Sequence, residues 1–527
     1  MKFFCQPRPN TGLFGQLGRA GRYAVLGTLF CVPLLGALAQ DSTNVPAAPV
    51  KYTADWNSLN SRPTPSWYTD AKFGIFIHWG VYSVPSWSVT GKNSGSYAEW
   101  YWMRIMETTN RVPAWREYHD KTYGTNFNYM DFAPRFTAEL FDPDAWAKIL
   151  AGSGAKYVVL TSKHHEGFCL WPSAEADRDW GRPWNSVEVG PKRDIVGDLT
   201  KAVRKQGLKM GLYYSLYEWF NPLWLQDPKR YAVEHMHPQF KDLVTRYAPS
   251  LIFADGEWDL TSEEWQTPEL LAWLFNDSPS RNDVVINDRW GKGGRHKNGG
   301  YFTTEYGAGM PDATHPWEEN RGIGFSFGYS RTEQLQDYRT GRELVWMLAD
   351  LVSRGGNLLL DIGPAADGTI PVIMQERLAE IGAWLKVNGE AIYGTKTWKK
   401  TCQWTEGTLP QPEKKRDQAK YSILNLAGMK SVNGQARKQA FFTVKGHALY
   451  VILPNWPGKT FTVNDLKPGE NTRIQILGVP GQLDFKAEQG NLVVTIPQLT
   501  VDQLPCQYAW TLKITDVITP AANAAAQ

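Results

Sequence analysis

Between Lys72 and Asp361 one pattern recurs: a short apolar run ends in polar or aromatic residues, and helix-like stretches follow several of these runs. The runs are KFGIFIHWG, KYVVLTSKHH, LKMGLYYSLYEW, SLIFADGEWD, DVVINDRWG, YFTTEYG and GNLLLDIGP. Continuous apolar runs are buried on both faces, and with helices between them they specify a parallel sheet covered by helices. DIVGDLTKAVRKQG, with Asp in its first turn and Gly at its end, reads as such a helix, and so does TPELLAWLFNDS. About eight units predict a (β/α)8 barrel, a fold that places functional residues at the C-terminal ends of its strands. Between Trp290 and Tyr301 lies GKGGRHKNGG, too short for an outer helix. The barrel is therefore expected to be imperfect, TIM-like, with at least one crossover missing.

With 527 residues the chain suits more than one domain. Around Lys399 its texture changes to short β-rich runs (AFFTVKG, ALYVILPNW, NLVVTIP, YAWTLKIT) alternating with turn signals. That pattern predicts a C-terminal antiparallel β-sandwich, either a sugar binder or a cover for the barrel, with cover favoured. The expected organisation is a barrel over 65–396, a sandwich over 397–518 and a disordered tail over 519–527. The mixed-sign run EKKRD reads as a solvated loop. Residues 1–39 read as a signal peptide, with Arg8, Arg19 and Arg22 leading into an apolar run and ALA at Ala37–Ala39 offering a cleavage site. A polar, Pro-rich linker covers 40–64. An exported protein follows, periplasmic or extracellular, with an uncleaved anchor as the alternative. Cys5 and Cys31 would leave with the signal. Cys169, Cys402 and Cys506 suit no zinc spacing, and Cys402 with Cys506 could bridge in an oxidising compartment.

Basic residues are spread along the chain, which argues against a nucleic-acid partner. The 24 Trp residues are the compositional outlier. Most suit a large aromatic core, while aromatic planes also stack against sugar rings. Several charged or imidazole side chains fall at strand ends: His78, His164, His165, Asp255, Glu257, Asp288, Arg289, Glu305, Glu318 and Glu319. Two carboxylates from different strand ends, facing each other over an aromatic cleft, are what glycosidic bond cleavage requires. Singly, each could equally cap a helix. The adjacent pair His164–His165 admits three readings: a structural pair, metal ligands of a barrel hydrolase together with His78, or hydrogen-bonding partners for sugar hydroxyls.

Taken together, KFGIFIHWGVYSVPSW, EWYW, AKYVVLTSKHHEGFCLWPS, GLYYSLYEW, DGEWD, NDRWG, TTEY and GGNLLLDIGP resemble the retaining α-L-fucosidase family of glycoside hydrolases, in order from about Trp67 to Tyr393. The resemblance implies an exo-acting enzyme that removes terminal α-L-fucosyl residues from fucosylated oligosaccharides or glycoconjugates. It implies a covalent fucosyl-enzyme and no metal or other cofactor. Asp255 matches the nucleophile. Glu305 in TTEY is chosen as acid/base, with Glu318 after Trp317 as its rival. The polar edge of fucose is expected to meet His78, Glu99, Trp100, His164, His165, Tyr214 and Arg289, with Tyr214 chosen over Tyr213. The 6-deoxy methyl is expected to meet Phe76 and Phe327. Phe253 stands where some relatives carry Trp. A metal-dependent hydrolase and a non-catalytic fucose-binding protein are the competing readings.

Overall fold

The computed structural model describes residues 50–89, 97–107, 113–410 and 422–517. The expected signal peptide, the start of the linker, EKKRD and the tail lie outside the described residues. In the compact unit Lys51–Gln527, eight strands form one parallel sheet: β1 Phe73–Ile77, β2 Tyr157–Lys163, β3 Lys209–Ser215, β4 Leu251–Asp255, β5 Val285–Ile286, β6 Phe302–Glu305, β7 Trp317–Gly322 and β8 Asn357–Ile362. Their order is β5-β4-β3-β2-β1-β8-β7-β6. The sheet curls into a TIM-like barrel whose edges, β5 and β6, are not hydrogen-bonded to each other. That open seam coincides with GKGGRHKNGG, the stretch without a helix.

Seven of the strands are the apolar runs read from the sequence. The eighth is not. β7 is WEENRG, entirely buried although five of its residues are polar, charged or Gly. Most of its polar side chains find partners on β6 or within the strand: Asn320 Nδ2 donates to Thr304 O at 2.7 Å, Arg321 Nη2 to Glu319 Oε1 at 2.9 Å, and Thr304 Oγ1 to Glu319 Oε2, while Trp317 Nε1 and Glu318 Oε1 have none. Burial without such partners would cost several kcal/mol per group.

Strand alternation sorts the apolar residues into two layers. Phe76, Tyr157, Val159, Tyr213, Leu251, Phe253, Val285 and Leu359 fill the barrel interior with Tyr68 and Tyr301. Ile75, Val158, Leu212, Tyr214, Ile252 and Leu360 point outward into the larger core under the helices. Among those helices, Ile195–Lys205 is capped by Asp194, whose side chain accepts from Gly197 N–H.

The second domain is a sandwich of two antiparallel sheets. β9 Lys396–Trp404, β10 Lys438–Lys445, β11 Ala448–Leu453, β13 Arg473–Ile476 and β16 Trp510–Thr515 form one; β12 Thr460–Val463, β14 Phe485–Glu488 and β15 Asn491–Thr495 form the other. Between them Phe442, Leu449, Val451, Phe461, Val494 and Leu512 make a separate core. The sandwich meets the barrel's helices through indole donors, Trp346 Nε1 to Tyr508 O and Trp384 Nε1 to Ala509 O, each at 2.8 Å. Cys402 and Cys506 are free, so the possible bridge is absent. Cys506 Sγ instead lies 3.2 Å from Ala509 O.

Candidate active site

The C-terminal strand ends gather the polar groups. Asp255 is the last residue of β4 and Glu305 the last of β6. Arg289, three residues beyond β5, joins them: Nη1 donates to Asp255 Oδ1 at 2.9 Å and Nη2 to Glu305 Oε2 at 3.2 Å. The guanidinium itself is fixed by Nε donating to Thr303 Oγ1 (3.0 Å), and it lies 4.9 Å from the centroid of the Phe253 ring. Phe253 thus supplies an aromatic face under Arg289.

Asp255 is buried, at 8% exposure, and its other oxygen accepts from Tyr213 OH at 3.1 Å. Burial alone would raise its pKa; Arg289, then His165 and Arg295, outweigh it and hold the carboxyl well below the ordinary carboxylate range. It is a carboxylate at any ordinary pH. Tyr97 OH donates to Glu305 Oε1 at 3.4 Å.

The histidines line the adjoining wall. β2 ends at Lys163, so His164 and His165 are free of strand alternation and their rings lie together, with centroids 4.1 Å apart. His165 Nδ1 is 2.7 Å from Ser215 Oγ and Nε2 is 3.6 Å from Asp255 Oδ2. His78, one residue past β1, is held by Asp361 on β8, Nδ1 to Oδ1 at 2.6 Å. Burial pushes His78 well below its usual pKa and Asp361 well above, so both favour neutral forms. His165 is likewise pushed down by burial and by His164. Neutral imidazoles can each donate and accept, as a hydroxyl does. His164 Nδ1 is buried and lies 3.5 Å from Glu166 Oε2.

Loops complete the rim. Glu99 accepts from Gly328 N–H at 2.8 Å, and burial raises its pKa to about 7. Trp100 meets His165 edge-on (5.7 Å) and packs against Trp219 and Trp258. Phe327 stacks on His78 at 4.8 Å and meets Phe76 at 6.4 Å, giving the site one apolar side.

Ten of the twelve expected site residues therefore come together: Asp255, Glu305, Arg289, His78, His164, His165, Glu99, Trp100, Phe76 and Phe327. Two do not. Tyr214 points out of the barrel, its hydroxyl donating to Gln239 Oε1 (2.8 Å), and Lys163 Nζ sits over its ring. Tyr213 faces the site in its place. Glu318 is the second residue of β7, paired with Thr303, two residues before Glu305 on β6, and lies toward the N-terminal end of the interior. There Tyr68 OH (3.1 Å) and Tyr157 OH donate to it, and burial raises its pKa to about 8. Arg295, Tyr97, Trp219, Trp258 and Asp361 join the site without having been singled out from the sequence. For Tyr213 a signal existed: Gly211, on the same face of β3, is the small residue a narrow interior demands. Among the described residues no group of three or more His, Cys, Asp or Glu is arranged to hold a metal ion.

A family model described as Alpha-L-fucosidase matches residues 39–390, and one described as Alpha-L-fucosidase C-terminal domain matches 433–515. The tissue alpha-L-fucosidase of Homo sapiens is 40% identical over 513 residues, covering 95% of this chain and 99% of that protein. The alpha-L-fucosidase of Dictyostelium discoideum is 49% identical over 358 residues, 66% of this chain and 76% of that one. Among solved structures, a Thermotoga maritima alpha-fucosidase in complex with a mechanism-based inhibitor superposes with a TM-score of 0.70 at 36% identity, covering 88% of this chain and 100% of that chain. The same enzyme in complex with fucose gives 0.69 at 35%, with the same coverage.

Proposed function

The chain belongs to the α-L-fucosidase family of glycoside hydrolases, and we propose that it removes terminal α-L-fucosyl residues with retention of configuration, through a fucosyl ester on Asp255. One observation carries the reading: a single guanidinium, that of Arg289, holds both Asp255 and Glu305, so two carboxyls distant in the chain can act on one bond.

In the first step an Asp255 oxygen bonds to the anomeric carbon as the bond to the leaving oxygen breaks. The proton on Glu305 passes to that oxygen. In the second, Glu305 takes a proton from water, the water oxygen bonds to the anomeric carbon, and the ester bond breaks to return the electron pair to Asp255. The low pKa of Asp255 supports the nucleophile role, because no proton has to leave first. His78, Glu99, Trp100, His164 and His165 grip the sugar hydroxyls. Phe76 and Phe327 form the wall for the C6 methyl. We give the tyrosine role to Tyr213. Fucosylated oligosaccharides or glycoconjugates are the substrates. The basic-then-apolar character of residues 1–39 supports export to the periplasm or beyond; no helix among the described residues is long and apolar enough to cross a membrane.

Asp255→Gly tests the reading with an aryl α-L-fucoside. Turnover is expected to fall on the order of a thousandfold or more, and added azide to restore it with β-fucosyl azide as product. A first-formed sugar of inverted configuration from the unaltered enzyme overturns the mechanism.

A further inference from the structure

Segment 291–300 occupies the open seam between β5 and β6, and it is tied down on both sides. Lys292 N–H donates to Leu260 O (2.8 Å), Gly300 N–H to Ile286 O (3.0 Å) and His296 N–H to Asp288 Oδ2 (2.8 Å), while His296 Nε2 lies 2.9 Å from Thr303 O. Two glycines permit the close fit: a Cβ on Gly291 would stand 2.4 Å from Ser262 N, and one on Gly299, at φ +104°, 2.2 Å from Asn287 O. Thus anchored, the segment delivers Arg295 to the site. Arg295 Nε donates to Glu257 Oε1 at 2.6 Å, and Nη2 lies 3.6 Å from Asp255 Oδ1. Glu257 is buried, whereas the Arg295 side chain is 35% exposed. Asp255 Oδ1 therefore faces two guanidinium groups, and only Arg289 was anticipated.

We propose that Arg295 is a further catalytic residue, which stabilises the departing carboxylate of Asp255 during hydrolysis of the fucosyl-enzyme, and that Glu257 is the positioning residue that keeps it there. The inference rests on Asp255 being the nucleophile. Before the first step Asp255 is a carboxylate held by Arg289, and Glu257, whose pKa burial raises, is bonded to Arg295. In the fucosyl-enzyme of the proposed mechanism Asp255 is a neutral ester and Glu305 has given up its proton, so the negative charge has moved from Asp255 to Glu305 while both guanidinium groups remain. Arg289, bonded to both Asp255 and Glu305, follows the charge as it moves. Arg295 keeps Glu257 as its partner throughout, so it stays in place while Asp255 is neutral. Its contact with Asp255 matters when the ester breaks.

The two steps respond oppositely to this cation. Asp255 loses charge on the way to the first transition state and gains it on the way to the second. A cation at Oδ1 therefore slows ester formation and speeds ester breakdown. The other groups facing Asp255 cannot substitute for Arg295. Tyr213 on β3 is neutral, His165 and His78 are pushed towards neutrality by burial, and Arg289 is shared with Glu305.

Arg295→Ala, assayed with an aryl α-L-fucoside, is expected to lower kcat about tenfold, the worth of one pKa unit of lost interaction. KM should fall by at least as much, leaving kcat/KM unchanged or raised. Quenched reactions should show a burst of the aryl leaving group and an Asp255 peptide heavier by one fucosyl unit. A merely structural role would lower kcat/KM instead, without a burst; that outcome, or an unchanged kcat, overturns the proposal. Arg295→Gln removes the charge at similar length and gives the same readout should the Ala variant fail to fold. The Asp255→Gly azide assay separates the two claims. Failed rescue removes the nucleophile assignment and this inference with it. Successful rescue beside an Arg295→Ala enzyme without a burst removes the inference alone.

Discussion

Asp255 and Glu318 both belong to the barrel interior and both are buried, yet their surroundings drive them to opposite states. Asp255 ends its strand, and cationic groups outweigh the cost of burying its charge. Glu318 begins its strand among Tyr68, Tyr157 and Tyr301, with no cation bonded to it, and burial keeps its proton on. Tyrosine hydroxyls can satisfy a neutral carboxyl but do not neutralise a charged one. One end of the barrel is thus built to hold negative charge and move it between carboxyls, and the other to exclude it. Glutamate occurs at both ends, so residue type does not distinguish them; partners and strand position do.

The largest consequence is in turnover. On a natural fucosylated oligosaccharide, Glu305→Ala should lose about 10²- to 10⁴-fold, the usual worth of a general acid, whereas Glu318→Gln should stay within a few-fold of the unaltered enzyme. With an aryl fucoside whose leaving group needs no proton, Glu305→Ala should recover its first step, seen as a burst. A Glu318→Gln enzyme that folds normally and is as inactive as Glu305→Ala would dissolve the contrast between the two ends.

A smaller effect separates neighbours on one strand. Tyr213→Phe removes a hydrogen bond to the Asp255 carboxylate, a contact to a charged group worth about 1.5–3 kcal/mol. As with Arg295, the contact strengthens as the ester breaks, so kcat rather than kcat/KM should fall, by up to roughly ten- to a hundredfold. Tyr214→Phe loses only bonds outside the barrel, to Gln239 Oε1 and Met236 O. It should lower the thermal midpoint while the activity per folded molecule stays the same. Equal kinetic losses in the two variants would show that the outward layer reaches the chemistry.

Much of this was legible in the chain. Apolar runs marked seven of the eight strands, and the polar residues at their ends marked Asp255, Glu305 and the histidine pair. GKGGRHKNGG marked the seam, although nothing in it announced that Arg295 would cross to Asp255; that depends on where Asp288 and Thr303 anchor the loop. β7 was invisible because WEENRG carries no apolar signal, its burial being made tolerable by partners on other strands. Without that strand, Glu318 could not be placed at a start rather than an end, and so it remained a rival to Glu305. Tyr213 and Tyr214 differ only in strand phase. One step of register exchanges interior for exterior, and the parallel pairing of Tyr213 with Phe253 and of Ser215 with Asp255 settles which faces in.

The smallest expected effect is on stability rather than turnover, and its sign follows from linkage. Glu318 carries a pKa of about 8 in the folded protein against an ordinary 4.5. Below about pH 4.5 folded and unfolded chains both hold the proton, and Glu318 adds no pH dependence. Between about 4.5 and 8 the folded chain holds a proton that the unfolded chain has released, so stability falls as pH rises; above 8 the fall ends. Glu99 and Glu333, each raised by burial to about 7, slope the same way. The informative quantity is therefore the difference between variant and parent. His78 and His165, pushed down by burial, slope the other way, so the expected result is relative: from pH 5 to pH 8 the thermal midpoint of Glu318→Gln, whose amide has no proton to lose and still offers an oxygen to Tyr68 and Tyr157, should rise against the parent's. Asp255 contributes nothing in this window, being ionised throughout it in both states. Parallel profiles would mean that Glu318 is already charged in the folded protein, and that the tyrosine end of the barrel accepts negative charge.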